Sequence, residues 1–139
     1  MFKKILVLIE GSIDTQFVKK TLEIAEVFSS QIIAFNVVDL HLIRQMSTHL
    51  DKREAEIIVD LEENGWKYLY FIEDLAKDRG VKIILIQEEG ILESNLLKAV
   101  DKYKVDLVVM SKKYHTPSQI SSKFIERILH RISCPLLII

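Results

Sequence analysis

The chain has 139 residues, 49% apolar and 28% charged, with a net charge of −1 and one cysteine, Cys134. That length fits a single domain over residues 1–139 with a sizeable core, and the near-neutral balance excludes a global field for gathering nucleic acid or an anionic membrane. A lone cysteine excludes an internal disulfide and a cysteine-rich metal centre; no apolar run is long enough to span a bilayer, and a cytoplasmic location is expected.

Met1-Phe-Lys-Lys leads straight into Ile5-Leu-Val-Leu-Ile9, an uninterrupted apolar run of the kind found in strands buried on both faces. Ser12 is placed to cap the next helix, with Asp14 in its first turn. Phe17, Thr21, Ile24, Ala25 and Phe28 then recur at helical spacing. Ser29-Ser30 ends that helix, and the β-branched run Gln31 to Val38 predicts a second strand.

From Asp39 to Ser47 the pattern is irregular and reads as a loop or short helical flap over the strand ends. Thr48 and Asp51 resemble a capping start for a long helix striped by Ile57, Ile58, Leu61, Tyr68, Leu69, Ile72, Leu75 and Ala76. Gly65 falls on that stripe, where a small residue allows close packing, and Arg79-Gly80 stops the helix. Trp66 and Tyr70 are read as facing outward. Val81 to Ile86 predicts the third strand and Glu88-Glu89-Gly90 a turn. Ile91, Leu92, Leu96, Ala99, Val100 and Tyr103 then form the face of a third helix. Asp106 to Met110 is the fourth strand. A polar loop follows, with a helix start between Ser118 and Ser122 and a face of Phe124, Ile125, Ile128, Leu129 and Ile132. Cys134-Pro135 breaks this helix, and Leu136 to Ile139 closes as a fifth strand.

Strands alternating with helices predict an α/β fold. It has a five-stranded parallel sheet, right-handed crossovers and four helices on both faces. With strand order 3-2-1-4-5, the carboxyl ends of the first and fourth strands flank the point where the order reverses, which is where such folds bind ligands. The crevice would collect Glu10, Gly11 and Ser12 from one side and Ser111 to Ser122 from the other. Ser118, Ser121 and Ser122 near a helix N-terminus, with Lys112, Lys113 and Lys123 beside them, are the chemistry of an anion site; a capped helix with a solvated basic loop is the competing reading. His115 lies in the same loop. His41 and His49 have neither the spacing nor the companions of a metal pair. The chain has no nucleophile elbow, P-loop or dinucleotide fingerprint, and no pattern in it argues for catalysis.

Lys4-Ile-Leu-Val-Leu-Ile-Glu-Gly-Ser12, Glu89-Gly90, Asp106-Leu-Val-Val-Met-Ser111 and the ending Glu126-Arg-Ile-Leu-His-Arg-Ile-Ser-Cys-Pro-Leu-Leu-Ile-Ile139 occur in one order. In this the whole chain resembles the universal stress protein family in its single-domain form. The resemblance implies a five-stranded parallel sheet, homodimers formed through the last strand, here Leu136 to Ile139, and a part in stress responses rather than a defined reaction. Some members bind ATP through a loop written G-x2-G-x9-G-[ST] after the fourth strand, with an aspartate ending the first. Glu10 stands at that aspartate, Ser111 and Tyr114 at the first two glycines, and Ser122-Lys123 at the final pair, with seven residues between Tyr114 and Ser122 in place of nine.

The implied nucleotide set is therefore Glu10, Gly11, Ser12, Val38, Ser111, Tyr114, Ser121, Ser122 and Lys123. Glycine serves such loops because the backbone must approach phosphate closely, often at positive φ, and a tyrosine side chain would occupy phosphate space. Two functions follow from the resemblance. The first is a homodimeric regulatory or interaction module without tight ATP binding and without a cofactor. The second is a nucleotide binder, with slow ATP hydrolysis as its one conceivable activity, in which serines and lysines replace glycines. A receiver-type domain ranks last, because the third strand runs into Ile86-Gln87 where a receiver carries its phosphorylated aspartate.

Overall fold

A computed structural model describes residues 1–10, 14–50, 53–113 and 121–139 of the chain. Its elements in order are β1 (Lys4–Ile9), α1 (Thr15–Phe28), β2 (Gln31–Asp39), α2 (Leu40–Leu50) and α3 (Glu54–Asp78). They continue with β3 (Ile83–Gly90), α4 (Leu92–Lys102), β4 (Leu107–Met110), α5 (Ser122–Arg131) and β5 (Leu136–Ile138). The strands form one parallel sheet in the order β3-β2-β1-β4-β5. This is the sheet expected from the apolar runs.

Side-chain alternation along β1 divides the core in two. Ile5, Val7 and Ile9 face α1 and α3, where Phe17, Leu22, Leu69 and Ile72 cover them. Leu6 and Leu8 face α4 and α5, where Leu96, Val100, Phe124 and Ile128 pack. At the amino end, Asp106 accepts from the Lys3 and Lys4 amides at 2.9 and 3.0 Å, holding β1 beside the start of β4.

Five helices stand among the described residues, not four. The segment read as a loop or short flap is the eleven-residue α2. Asp39 supplies its missing start signal: Oδ1 accepts from the amides of His41 at 2.8 Å and Leu42 at 3.4 Å, as an N-cap does. Ile43 and Met46 then pack with Val38, Ile57 and Leu61 in a small separate cluster. The long helix consequently begins at Glu54 rather than at Thr48, which lies inside α2 and returns its hydroxyl to the Arg44 carbonyl. Asp51 lies outside the described residues.

The remaining corrections are local. Asp14, not a residue of its first turn, is the N-cap of α1, and its side chain accepts from the Gln16 amide; the alternative cap, Ser12, lies outside the described residues. Glu88-Glu89-Gly90 is the carboxyl end of β3 rather than a turn, because each residue pairs with β2 from Val37 to Asp39. Gly90 has φ +155 with the Asn95 side chain against it, so a β-carbon there would be both strained and crowded. Leu129 is 58% exposed and does not join the face of α5. Trp66 packs partly into the α1–α3 core, while Tyr70 faces outward and its ring meets that of Trp66 at 5.5 Å.

Candidate functional site

The carboxyl ends of β1 and β4 lie side by side through the pairing of Val7 with Val109. A salt bridge ties the segments that follow them. Lys113 Nζ lies 2.9 Å from Asp14 Oδ2, and the Lys113 amide donates to Ser111 Oγ at 3.1 Å. The Lys113 hydrogen bond, assisted by the Gln16 amide, holds the Asp14 carboxyl below its ordinary pKa against some desolvation. The Lys112 amide donates to the Ile139 carbonyl, fastening the same turn to the end of the sheet. Ser111, standing where the nucleotide loop has its first glycine, thus closes a turn with its own hydroxyl.

The other expected residues separate. Val38 is 2% exposed and sealed between α2 and α3 by Ile43 and Ile57. Ser121 is the N-cap of α5 and accepts from the Phe124 amide at 3.1 Å, which places the helix start at the late end of the expected Ser118–Ser122 window. Ser122 and Lys123 are exposed on the first turn of α5, and Glu10 is half-buried just past β1. Gly11, Ser12, Tyr114, His115 and Ser118 lie outside the described residues.

A cavity of about 370 Å³ opens on the α4–α5 side of the sheet ends. One wall is the β2–α2 junction, with Asp39, His41, Leu42 and Gln45. The lining is completed by the first turn of α4, Ile91 to Glu93, which follows the paired Asp39 and Gly90, and by Ser121, Phe124 and Arg127 at the start of α5. Glu93 binds two guanidiniums there, Arg127 Nε at 2.9 Å and Arg131 Nη1 at 3.3 Å. Of the described residues expected to bind a ligand, only Ser121 belongs to this cavity. The strand-to-helix position of Asp39 is a signal in the sequence; nothing local links Glu93 to Arg127, 34 residues apart. Among the described residues no cluster of His, Cys, Asp and Glu is arranged for a metal, and no helix is long and apolar enough to cross a membrane.

Behind the site, Asn36 Nδ2 donates to the Ile9 carbonyl at 2.9 Å, and Gln87 Nε2 donates to Asn36 Oδ1 at 3.2 Å and to the Glu62 carbonyl at 2.9 Å. This chain of bonds locks the carboxyl ends of β1, β2 and β3 to α3.

An open parallel sheet of this order with helices on both faces defines a doubly wound α/β protein. The sequence profile of the universal stress protein family matches residues 1–139, and the chain belongs to that family. It is similar to Universal stress protein MJ0531 of Methanocaldococcus jannaschii, 27% identical over 143 residues that cover all of this chain and 82% of the relative. Two solved structures share the fold. The hypothetical protein MJ0577 superposes with a TM-score of 0.78 at 21% identity, covering 100% of this chain and 96% of that one. A universal stress protein in complex with cAMP superposes with a TM-score of 0.64 at 18% identity, covering 99% and 96%.

Proposed function

We propose that this chain is a cytoplasmic regulatory and interaction module of the universal stress family that does not hold ATP tightly. The observation that carries the reading is the closed Ser111–Lys113–Asp14 turn. A triphosphate cradle needs free backbone amides and an uncommitted cation, whereas the Lys113 amide is given to Ser111 and its ammonium to Asp14. Calorimetric titration of the nucleotide-stripped protein with MgATP tests this. No heat below millimolar concentration is the expected result, and micromolar binding overturns it.

The same reading makes the protein a homodimer. β5 forms one edge of the sheet, and its outer residue Ile138 is 36% exposed; an uncovered apolar edge favours pairing with a second copy. Sedimentation at high concentration should give a dimer, and a monomer defeats this part.

A second reading has its own support. The cAMP complex of a structural relative and a cavity that reaches Ser121 favour a small nucleotide ligand at this end of the sheet. Replacing Ser122 with Trp would then lower nucleotide affinity, and unchanged affinity counts against the second reading.

A further inference from the structure

We propose that the outer edge of β3 pairs antiparallel with β3 of a second copy, about a two-fold axis at Leu85 and in a register set by Lys82 and Glu88. This interface lies at the opposite end of the sheet from the β5 edge considered above, and it does not depend on that edge.

β3 ends the sheet, and among the described residues no strand lies beyond it. Its ladder with β2 runs without a bulge from Ile83 to Gly90, so eight residues offer a regular edge where β5 offers three. None of the eight is buried, although the strand opens with Ile83-Ile84-Leu85-Ile86; β2 beside it is buried from Ile32 to Asp39. Edge strands are ordinarily guarded by a charge among the apolar residues, a proline or a bulge. This apolar run has none of them, and Ile84 is 38% exposed.

The Ile32 amide donates to the Lys82 carbonyl at 2.8 Å, so Lys82 and, by alternation, Ile84, Ile86 and Glu88 turn their backbone groups toward β2. Ile83, Leu85, Gln87 and Glu89 turn theirs outward. Side chains alternate between the faces as well: Ile86 packs with the α4–α5 core and Glu88 accepts from Asn95 of α4 at 3.2 Å, which puts Lys82 and Ile84 on that face too. Ile83 and Leu85 pack toward α1 and α3, where Gln87 is held by Asn36 and the Glu62 carbonyl.

Antiparallel pairs alternate between bonded and non-bonded ones, so a two-fold axis cannot exchange neighbouring pairs and must set one residue opposite itself. With Leu85 on the axis, Ile83 meets Gln87 of the second copy, and these outward-facing residues exchange hydrogen bonds. The residues between them form the non-bonded pairs, in which side chains come closest. There Ile84 meets Ile86 and Lys82 meets Glu88, and the symmetry makes each pair twice. Moving the axis to Ile84 would set Lys82 against Ile86, and moving it to Ile86 would set Ile84 against Glu88. Of these registers only the one centred on Leu85 matches charge with charge and apolar with apolar.

Sedimentation of the full chain, with Ile138→Pro, Lys82→Glu and Glu88→Lys, tests this. Ile139 makes the bonds to β4, so Ile138 turns its own amide outward, and proline there blocks the β5 edge without breaking the ladder. Ile138→Pro should still dimerise, and adding either charge reversal should reduce it to a monomer by setting like charges opposite one another. Mixing the two monomers should restore a dimer, because one copy is then acidic at both positions and the other basic. In the parent, with both edges free, the dimer should associate further as concentration rises; that association should vanish in either charge variant and return on mixing. Assembly that either reversal leaves unchanged, or that mixing does not restore, overturns the inference, as does a folded Ile138→Pro protein that stays monomeric. The β5 reading is judged separately by Lys82→Glu alone: a dimer upholds it and a monomer defeats it.

Discussion

Gly65 of α3 lies directly against the side chain of Asn36 in β2. A β-carbon built on Gly65 would come within 2.5 Å of Gln87 Nε2 and closer still to Asn36 Oδ1. The glycine is there because a helix turn and a buried amide occupy the same space.

Gly65→Ala should therefore destabilise the fold. Helix propensity alone favours alanine by about 1 kcal/mol, but overpacking costs about 1–3 kcal/mol, and displacing Asn36 strands the buried Ile9 carbonyl at a further ~1–3 kcal/mol. Urea unfolding should show a net loss of about 1–5 kcal/mol. A gain would mean that Asn36 and Gln87 repack without losing their bonds.

Asn36→Ala removes the donor to Ile9 and should itself cost about 1–3 kcal/mol. In this background Gly65→Ala should cost markedly less than in the parent, because the obstructing amide is gone. Strict additivity in the double-mutant cycle would contradict the crowding.

The Asp14–Lys113 pair gives a pH signature. A carboxyl with a lowered folded pKa stabilises the native state above the ordinary aspartate range, and that contribution disappears as pH falls through the lowered value. Lys113→Met should move the Asp14 titration, followed by carboxyl-carbon NMR, back up toward the usual value. An unmoved titration would show that Lys113 does not hold Asp14 in solution.

Burial, helped by the negative charge of Asp106, pushes the Cys134 thiol up from its ordinary value. Thiolate is the reactive form, so alkylation of the folded protein near neutral pH should be slower than in urea by about tenfold or more. Equal rates would place Cys134 in solvent.

Most of the sheet was legible because β1, β2 and β4 are apolar on both faces, and such runs have few other homes. α2 is obscure in the sequence for a definite reason: it packs in a cluster with three buried side chains, Val38, Ile43 and Ile57, so its stripe is thin and Asp39 reads as a loop residue rather than a cap. β3 runs past Ile86 because its polar residues find partners or solvent: Gln87 bonds Asn36 and the Glu62 carbonyl, Glu88 accepts from Asn95, and Glu89 is exposed. Topology points to the carboxyl ends of β1 and β4, whereas the described cavity lies between α2, α4 and α5. Lys113 turns on Asp14 and Val38 is sealed by α2, and both depend on contacts between distant segments. The pairing of Glu93 with Arg127 and Arg131 depends on how α4 and α5 come together, and residue spacing carries no trace of that.

The central position of β1 bears on how the chain is made. It precedes the other four strands in the chain and, like β2 and β4, is buried on both faces and paired on both edges. One edge receives β2 early, but the other waits for β4, and the Lys4 amide meets its partner Asp106 across a separation of 102 residues. At ~5–20 residues per second, Ile5 to Ile9 stays without its second neighbour for roughly 5–20 s. During translation a strand of the finished core thus keeps one edge open, and a chaperone acting on the nascent chain would find its target there.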